Sequence, residues 1–360
     1  MRRMGIVRWS GAAALAIAAL LLVASSASPP TIHATGADTK QEEMAEEIRI
    51  AFVGDIILDK SVGVQIGRHG VDYPFQKTGE FLRKADLAIA NLETPVSTRG
   101  KPEKKEFTYR AQPSALNGLK NAGIDVVNLA NNHTLDYGVD ALLDTFGHLD
   151  KQQIGYVGAG KNEAEAFAPH IETIKGKRVA VIGLSHVLPN YRWYAGKNKP
   201  GLAHAYSYEP MLSYVKQAVA QSDITIAVMH WNLEYKDTPE LYARELAKKL
   251  IDNGVDAIVG SHSHSVMGVE FYKQVPIYYS VGNFVFTTSY NPKGREAIMV
   301  ELAFKEKETN SRVIPVKIVN GQPAEQDSQG KQRMIDKLNR ISYGASIERD
   351  GQVKQTAKIR

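Results

Sequence analysis

Ile124-Asp125-Val126-Val127-Asn128-Leu129-Ala130-Asn131-Asn132-His133-Thr134-Leu135-Asp136-Tyr137-Gly138 runs an apolar strand straight into two amides and an imidazole. Amides are poor strand formers and costly to bury without partners. Either this stretch caps and turns the chain, or it holds something. Working outward, the same pattern recurs. The apolar run at 48–53 ends in Gly54-Asp55, and that at 85–90 ends in Asn91-Leu92-Glu93. The run at 224–229 ends in His230-Trp231, and that at 257–259 in Gly260-Ser261-His262-Ser263-His264. Amphipathic helical patterns fill 113–122, 138–149, 211–220 and 240–252. Alternating helix and strand predicts an α/β domain with a largely parallel sheet. A strand-rich end, at 276–281, 297–304 and 312–319, predicts a second sheet packed on the first.

One polar strand tip is a turn signal; five in one chain point to a site. Ligands of open α/β sheets bind outside the carboxyl ends of the strands, where loop tips and helix N-termini gather. Taken singly, Asp55 is an ordinary cap, Glu93 a loop start, His230 a core histidine and Asn131-Asn132-His133 an Asx turn. The His262/His264 pair is the strongest single signal, because one turn can direct both imidazoles into one space. His69, His148, His170, His186 and His204 lack a strand-tip context and read as surface or loop residues.

Composition narrows the chemistry. The 360 residues include no cysteine, which excludes disulfides, catalytic thiols and zinc–thiolate sites. Carboxylate, imidazole and amide oxygen without thiolate suit a divalent Mn, Fe, Zn or Mg ion, one or two in number. A net charge of +5 with no basic tract carrying interleaved aromatics argues against nucleic acid and suits an anionic polymer or envelope substrate. Residues 1–27 join a basic start, with Arg2, Arg3 and Arg8, to an apolar run and the small residues Ser25-Ser26-Ala27. They read as a signal peptide or an N-terminal membrane anchor, so the chain is expected to be extracellular or at the cell surface, secreted or anchored to the cytoplasmic membrane. Residues 28–47 read as a polar linker, 48–325 as the folded domain, and 326–360 as a polar tail with at most one helix.

Seven motifs occur in order: Phe52-Val53-Gly54-Asp55, Asn91-Leu92-Glu93-Thr94-Pro95, Leu129 to Gly138, Gly158-Ala159-Gly160, His230-Trp231-Asn232-Leu233-Glu234-Tyr235, Gly260 to His264, and Ser280-Val281-Gly282-Asn283-Phe284. Together they resemble the CapA-type (PgsA-type) capsule-biosynthesis proteins, associated with poly-γ-glutamate synthesis or export in bacteria. That family is similar to the calcineurin-like metallophosphoesterases, which implies a layered sandwich of two packed β-sheets flanked by helices. By this resemblance Asn132, His230 and His262 would hold one metal and Asp55 and His264 a second. Glu93 would bridge, and His133 would donate the proton. Asn131, Trp231, Glu234 and Asn283, in the same motifs, are the candidates for substrate contact.

The sequence departs from the pattern at four places. Ile57 stands where the phosphoesterases usually have histidine, Glu93 replaces an aspartate, Asn232 a glycine and Ser263 a common proline. Losing one imidazole points to a weaker or single-metal centre. Three functions follow. The first is a metal-dependent hydrolase acting in the poly-γ-glutamate pathway. The second is a non-catalytic polyanion-binding subunit of a membrane synthase or export complex. The third is a surface phosphoesterase unrelated to capsule.

Overall fold

β1 (Ile48–Ile56) organises the molecule. Its alternate residues Ile48, Ile50 and Phe52 enter one core, while Ala51 and Val53 enter another. A strand covered on both faces must be apolar on both. In this computed structural model, residues 46–357 are described, apart from 288, 289 and 307. The expected signal or anchor at 1–27, and nearly all of the linker, lie outside the described residues. Among the described residues, no helix is long and apolar enough to cross a membrane.

After β1, α1 (Lys60–His69) and α2 (Gly79–Arg83) lead to β2 (Leu87–Leu92). α3 (Leu116–Ala122) leads to β3 (Val126–Asn128), and α4 (Gly138–Gln152) to β4 (Gly155–Val157). These four strands are parallel neighbours. The chain then passes through β5 (Ala159–Gly160), α5 (Glu163–Phe167), β6 (His170–Ile174), β7 (Lys177–Ser185) and β8 (Gly201–Leu202). α6 (Met211–Ala220), β9 (Ile224–His230), α7 (Leu241–Asp252), β10 (Ala257–Ser261), β11 (Val269–Tyr272) and β12 (Val275–Tyr278) follow. They complete a second sheet of order β11-β12-β10-β9-β7-β6.

The chain returns to the first sheet through β13 (Asn283–Val285), parallel to β1, and β14 (Glu296–Lys305), antiparallel to it. β15 (Glu308–Val319) and β16 (Gln322–Glu325) extend that sheet.

Three cores separate four layers. Ile50, Phe52, Ile89 and Val126 of the first sheet meet Val181, Ile226, Val228 and Val259 of the second. Leu116, Leu119, Leu142 and Phe146 cover the outer face of the first sheet. Met211, Val215, Leu246 and Leu250 cover that of the second. The result is the expected sandwich of two packed sheets flanked by helices. Each large side chain so buried contributes about 1.5–3 kcal/mol.

The C-terminal residues depart from the expectation of a polar tail. α8 (Ser328–Ile341) is the single helix allowed for, but β17 (Ala345–Ile347) and β18 (Gln352–Gln355) then add to the first sheet beside β15. Met334, Ile335, Leu338, Ile347 and Val353 anchor this segment in the core between the sheets. So few apolar residues among many polar ones leave only a faint pattern in the sequence.

Candidate metal centre

Parallel pairing lines up polar residues along the carboxyl edges of both sheets. In the first sheet Asp55 is level with Asn91, Asn91 with Asn128, and Asp55 also with Asn283 on β13. In the second, His230 is level with Ser261 and Ser185. Gly54 permits the close approach of β1 and β13, since a Cβ there would sit 1.7 Å from the Gly282 carbonyl oxygen. The turn after β10 holds His262 at φ 91° and His264 at φ 52°. Positive φ is costly for residues with a side chain and concentrates at functional sites.

These elements bring Asp55, Glu93, Asn132, His230, His262 and His264 together. One ligand atom from each of Glu93, His230 and His262 lies within 4.8 Å of the others, and the same holds for Asp55, Glu93 and His264. Glu93 is common to both groups. His230 Nε2–H donates to Asn132 Oδ1 (2.8 Å), and its Nδ1 lies 2.9 Å from the Ser261 hydroxyl. His264 Nδ1–H donates to Asn283 Oδ1 (2.8 Å) and lies 3.5 Å from Asp55 Oδ2. Asn91 Nδ2 donates to Asp55 Oδ1 (2.7 Å).

The donors fit a divalent cation. Glu93 is fully buried, yet neither carboxylate oxygen receives a hydrogen bond, and His262 Nδ1 is likewise buried without a partner. At 3.5 Å, His230 Nε2 and Glu93 Oε1 attract each other without forming a hydrogen bond. Orphaned buried polar atoms of this kind are costly unless something else satisfies them. Burial would raise the Glu93 carboxyl pKa, but His230, His264 and His133 hold it below the usual carboxylate range. Burial, then the neighbouring His230 and His264, push the His262 imidazole well below its ordinary value, keeping it in the neutral form that ligates metals. Burial would also lower His264, but Asp55, Glu93 and Asn283 push it up to about 9.

His133 stands beside this cluster. Asp136 Oδ2 accepts from His133 Nδ1 (2.7 Å) and from the Tyr109 amide (2.8 Å). Because a carboxylate only accepts, the ring carries its proton on Nδ1. Nε2 has no hydrogen-bond partner among the described residues. Asp136, absent from the candidate site residues, is therefore the residue that orients His133. Its i,i+3 spacing on the turn was the available signal. Asn91 and Ser261 were also missed. Asn91 Oδ1 accepts from Asn128 Nδ2 (3.0 Å) and Asn131 Nδ2 (3.3 Å), which explains amides at a buried strand edge.

Three of the four substrate-contact candidates have structural positions instead. Trp231 is fully buried in the outer core of the second sheet, with Nε1 donating to the Tyr279 carbonyl (2.8 Å). Following His230, it points to the opposite sheet face. Asn131 is buried and its Oδ1 accepts from the His133 amide (3.0 Å) and the Thr134 hydroxyl (2.8 Å), shaping the turn. Asn283 is buried between His264 and the Gly294 carbonyl (2.9 Å), so it positions His264. Glu234 is exposed on the loop after β9.

Two of the four departures have local causes. Asn232 adopts φ 74°, the left-handed region that favours glycine and tolerates asparagine. Ile57 packs with Tyr109 and Phe286. The ring of Phe286 lies 4.8 Å from that of His264, so an apolar wall stands where another imidazole would be.

The sequence profile of the family described as bacterial capsule synthesis protein PGA_cap matches residues 49–288. The PGA biosynthesis protein CapA of Bacillus subtilis (strain 168) is 32% identical over 309 residues, covering 84% of this chain and 80% of that protein. The capsule biosynthesis protein CapA of Bacillus anthracis is 30% identical over 287 residues, covering 77% and 69%. A crystal structure of a Vps29 single mutant from Entamoeba histolytica aligns with 78% of this chain and 97% of its own, at 11% identity and a TM-score of 0.28. The chain belongs to the PGA_cap family of bacterial capsule synthesis proteins.

Proposed function

We propose that this protein is a metal-dependent hydrolase of the poly-γ-glutamate capsule pathway, acting outside the cytoplasm on an anionic envelope substrate beside a membrane synthase or export complex. One observation carries the reading: Glu93, fully buried with both oxygens unpartnered, sits between two sets of ligand-capable atoms. Glu93, Asn132, His230 and His262 would hold one cation, and Asp55, Glu93 and His264 a second. Such ions activate water and neutralise charge on the group being cleaved.

The chain's own residues supply the rest. Asp136 holds the Nδ1–H of His133, so Nε2 faces the site; once Nε2 has taken up a proton, the imidazolium would hand that proton to the leaving group. Ser261 and Asn283 fix the rings of His230 and His264. Ile57, Tyr109 and Phe286 keep water from one side of the cluster. The basic and apolar start of the sequence supports export, with the N-terminal segment as signal or anchor.

The test compares wild type with His133→Ala in the purified protein. Metal content is expected to stay nearly equal, while hydrolysis of phosphodiester or γ-glutamyl substrates with added Mn or Zn falls about 100-fold or more. Equal turnover removes the proton-donor role, and wild type without bound metal after loading removes the metal reading. The apolar wall at Ile57 favours a second reading, a polymer-binding subunit without catalysis. For that reading, binding of poly-γ-glutamate persists in His133→Ala and no hydrolysis is seen in either protein.

A further inference from the structure

The segment 101–105, Lys-Pro-Glu-Lys-Lys, reads as a solvated loop, and Lys101 and Lys104 are indeed exposed. Lys105 turns inward, its side chain only 19% exposed. Its Nζ donates to Asp136 Oδ1 (2.6 Å) and to the Asn132 carbonyl oxygen (2.5 Å). It lies 3.1 Å from His133 Nδ1 and 5.4 Å from the centre of the Trp193 ring. Since His133 Nδ1 donates its proton to Asp136, the ammonium approaches the ring without bonding to it.

The loop that carries Lys105 is fastened on both sides. Arg99 Nε donates to Asp144 (2.9 Å), the Glu103 amide to the Asp136 carbonyl (2.8 Å), and the Arg110 amide to Asp59 (2.9 Å). The Arg110 guanidinium lies 4.2 Å over the Tyr137 ring, and the Tyr109 ring packs 4.7 Å from that of His133. The strap is therefore built in place, with Lys105 held against the His133–Asp136 pair.

We propose that Lys105 is a positioning residue for His133. One ammonium fixes the carboxylate that orients His133 and also the backbone of Asn132, whose side chain lies 2.8 Å from His230 Nε2. The proposal rests on reading His133 as the proton donor only for its catalytic consequence; the geometric claim stands apart from it. Without Lys105, Asp136 is a fully buried carboxylate freed to rotate toward other donors, and the His133 ring follows it.

The experiment uses the metal-stripped, full-length protein labelled with 15N-histidine. The Nδ1–H resonance of His133 is identified by its loss in His133→Gln. Lys105→Arg is expected to keep this resonance near its wild-type shift. Lys105→Met is expected to move it and to speed its exchange with water at least tenfold. If Lys105→Met does not fold, Lys105→Gln, which keeps an N–H donor but no charge, is read in the same way.

A lowered melting temperature with an unchanged resonance and exchange rate overturns the proposal and leaves Lys105 as a mere loop fastening. In metal-loaded protein with turnover, Lys105→Met is expected to lower kcat roughly 10- to 100-fold with KM within about twofold, and Lys105→Arg to restore most of it. If wild type shows no turnover, the hydrolase reading fails while the resonance test still decides the role of Lys105.

Discussion

Glu93→Gln isolates the metal question from packing, because it preserves volume while removing the charge and turning one acceptor oxygen into an amide donor. Glu93 is shared by both ligand groups and is satisfied by no protein donor. A cation present at 100 times its Kd stabilises the folded chain by about 2.7 kcal/mol. Removing a ligand common to both groups is expected to weaken binding roughly 100-fold, the upper end of what loss of an outer partner alone does. At the same metal concentration the stabilisation then falls to about 0.4 kcal/mol. For a domain of this size about 2 °C accompanies each kcal/mol, so wild type gains about 5 °C on loading and the variant less than about 1 °C. Thermal melts of chelator-stripped protein, with and without Mn or Zn, read this directly. Each protein's own metal-free melt is the baseline, because losing the Glu93 charge also removes its attraction to His230 and His264 and lowers the variant's starting stability. An equal metal-dependent rise in both proteins would refute the reasoning, as would a wild type indifferent to metal.

Calorimetric titration of stripped protein is expected to resolve two unequal metal-binding steps. His264→Ala should remove the weaker and leave the tighter; two equal sites, or loss of both in that variant, would contradict the ligand division. Asp144 supplies a pH test of the strap. The Arg99 guanidinium and the Ser97 hydroxyl (2.6 Å) hold its carboxyl at about 2, below the value of about 4 in an unfolded chain. A depressed folded pKa contributes stability above pH 4 that is lost as pH falls toward 2. Asp144→Asn should therefore melt below wild type at neutral pH, with the gap closing across that window; a gap independent of pH would show that the charge contributes nothing.

The sequence showed the layered architecture and the polar strand tips because both depend on local pattern. Strands apolar on both faces, with helices between them, are visible residue by residue, and a polar residue after such a strand falls at the carboxyl edge. What escaped depends on partners far along the chain. Lys105 reaches His133 across 28 positions, and Asn91 reaches His230 across 139, so neither has a sequence signature. Trp231 was misjudged for a reason the sequence does contain. Side chains alternate along a strand, so a residue next to an inward His230 faces the helix layer. The hairpin of β17 and β18 has few apolar residues and shows no periodicity strong enough to separate it from a tail.

The unequal loading expected of the two metal positions traces to residue 57. Ile57 follows Asp55 by two, and its amide donates to the Val285 carbonyl (2.7 Å), prolonging the pairing of β1 with β13. Alternation turns its side chain to the same side as Asp55, where it meets Tyr109 and Phe286 rather than a cation. The Asp55 side is left with two carboxylates and one imidazole, and one Asp55 oxygen is already occupied by Asn91. The His230 side offers two imidazoles, an amide oxygen and the shared carboxylate, a set that suits Zn, Mn or Fe. The poorer side is bounded by the apolar cluster of Ile57, Tyr109 and Phe286, and an oxygen-rich, three-donor position would leave part of a cation's shell to water or substrate. An anionic group entering from solvent would complete that shell, so the weaker position would bind best when substrate is present. On the proposed reading, the substitution that makes the site look degraded would also couple metal occupancy to an anionic substrate.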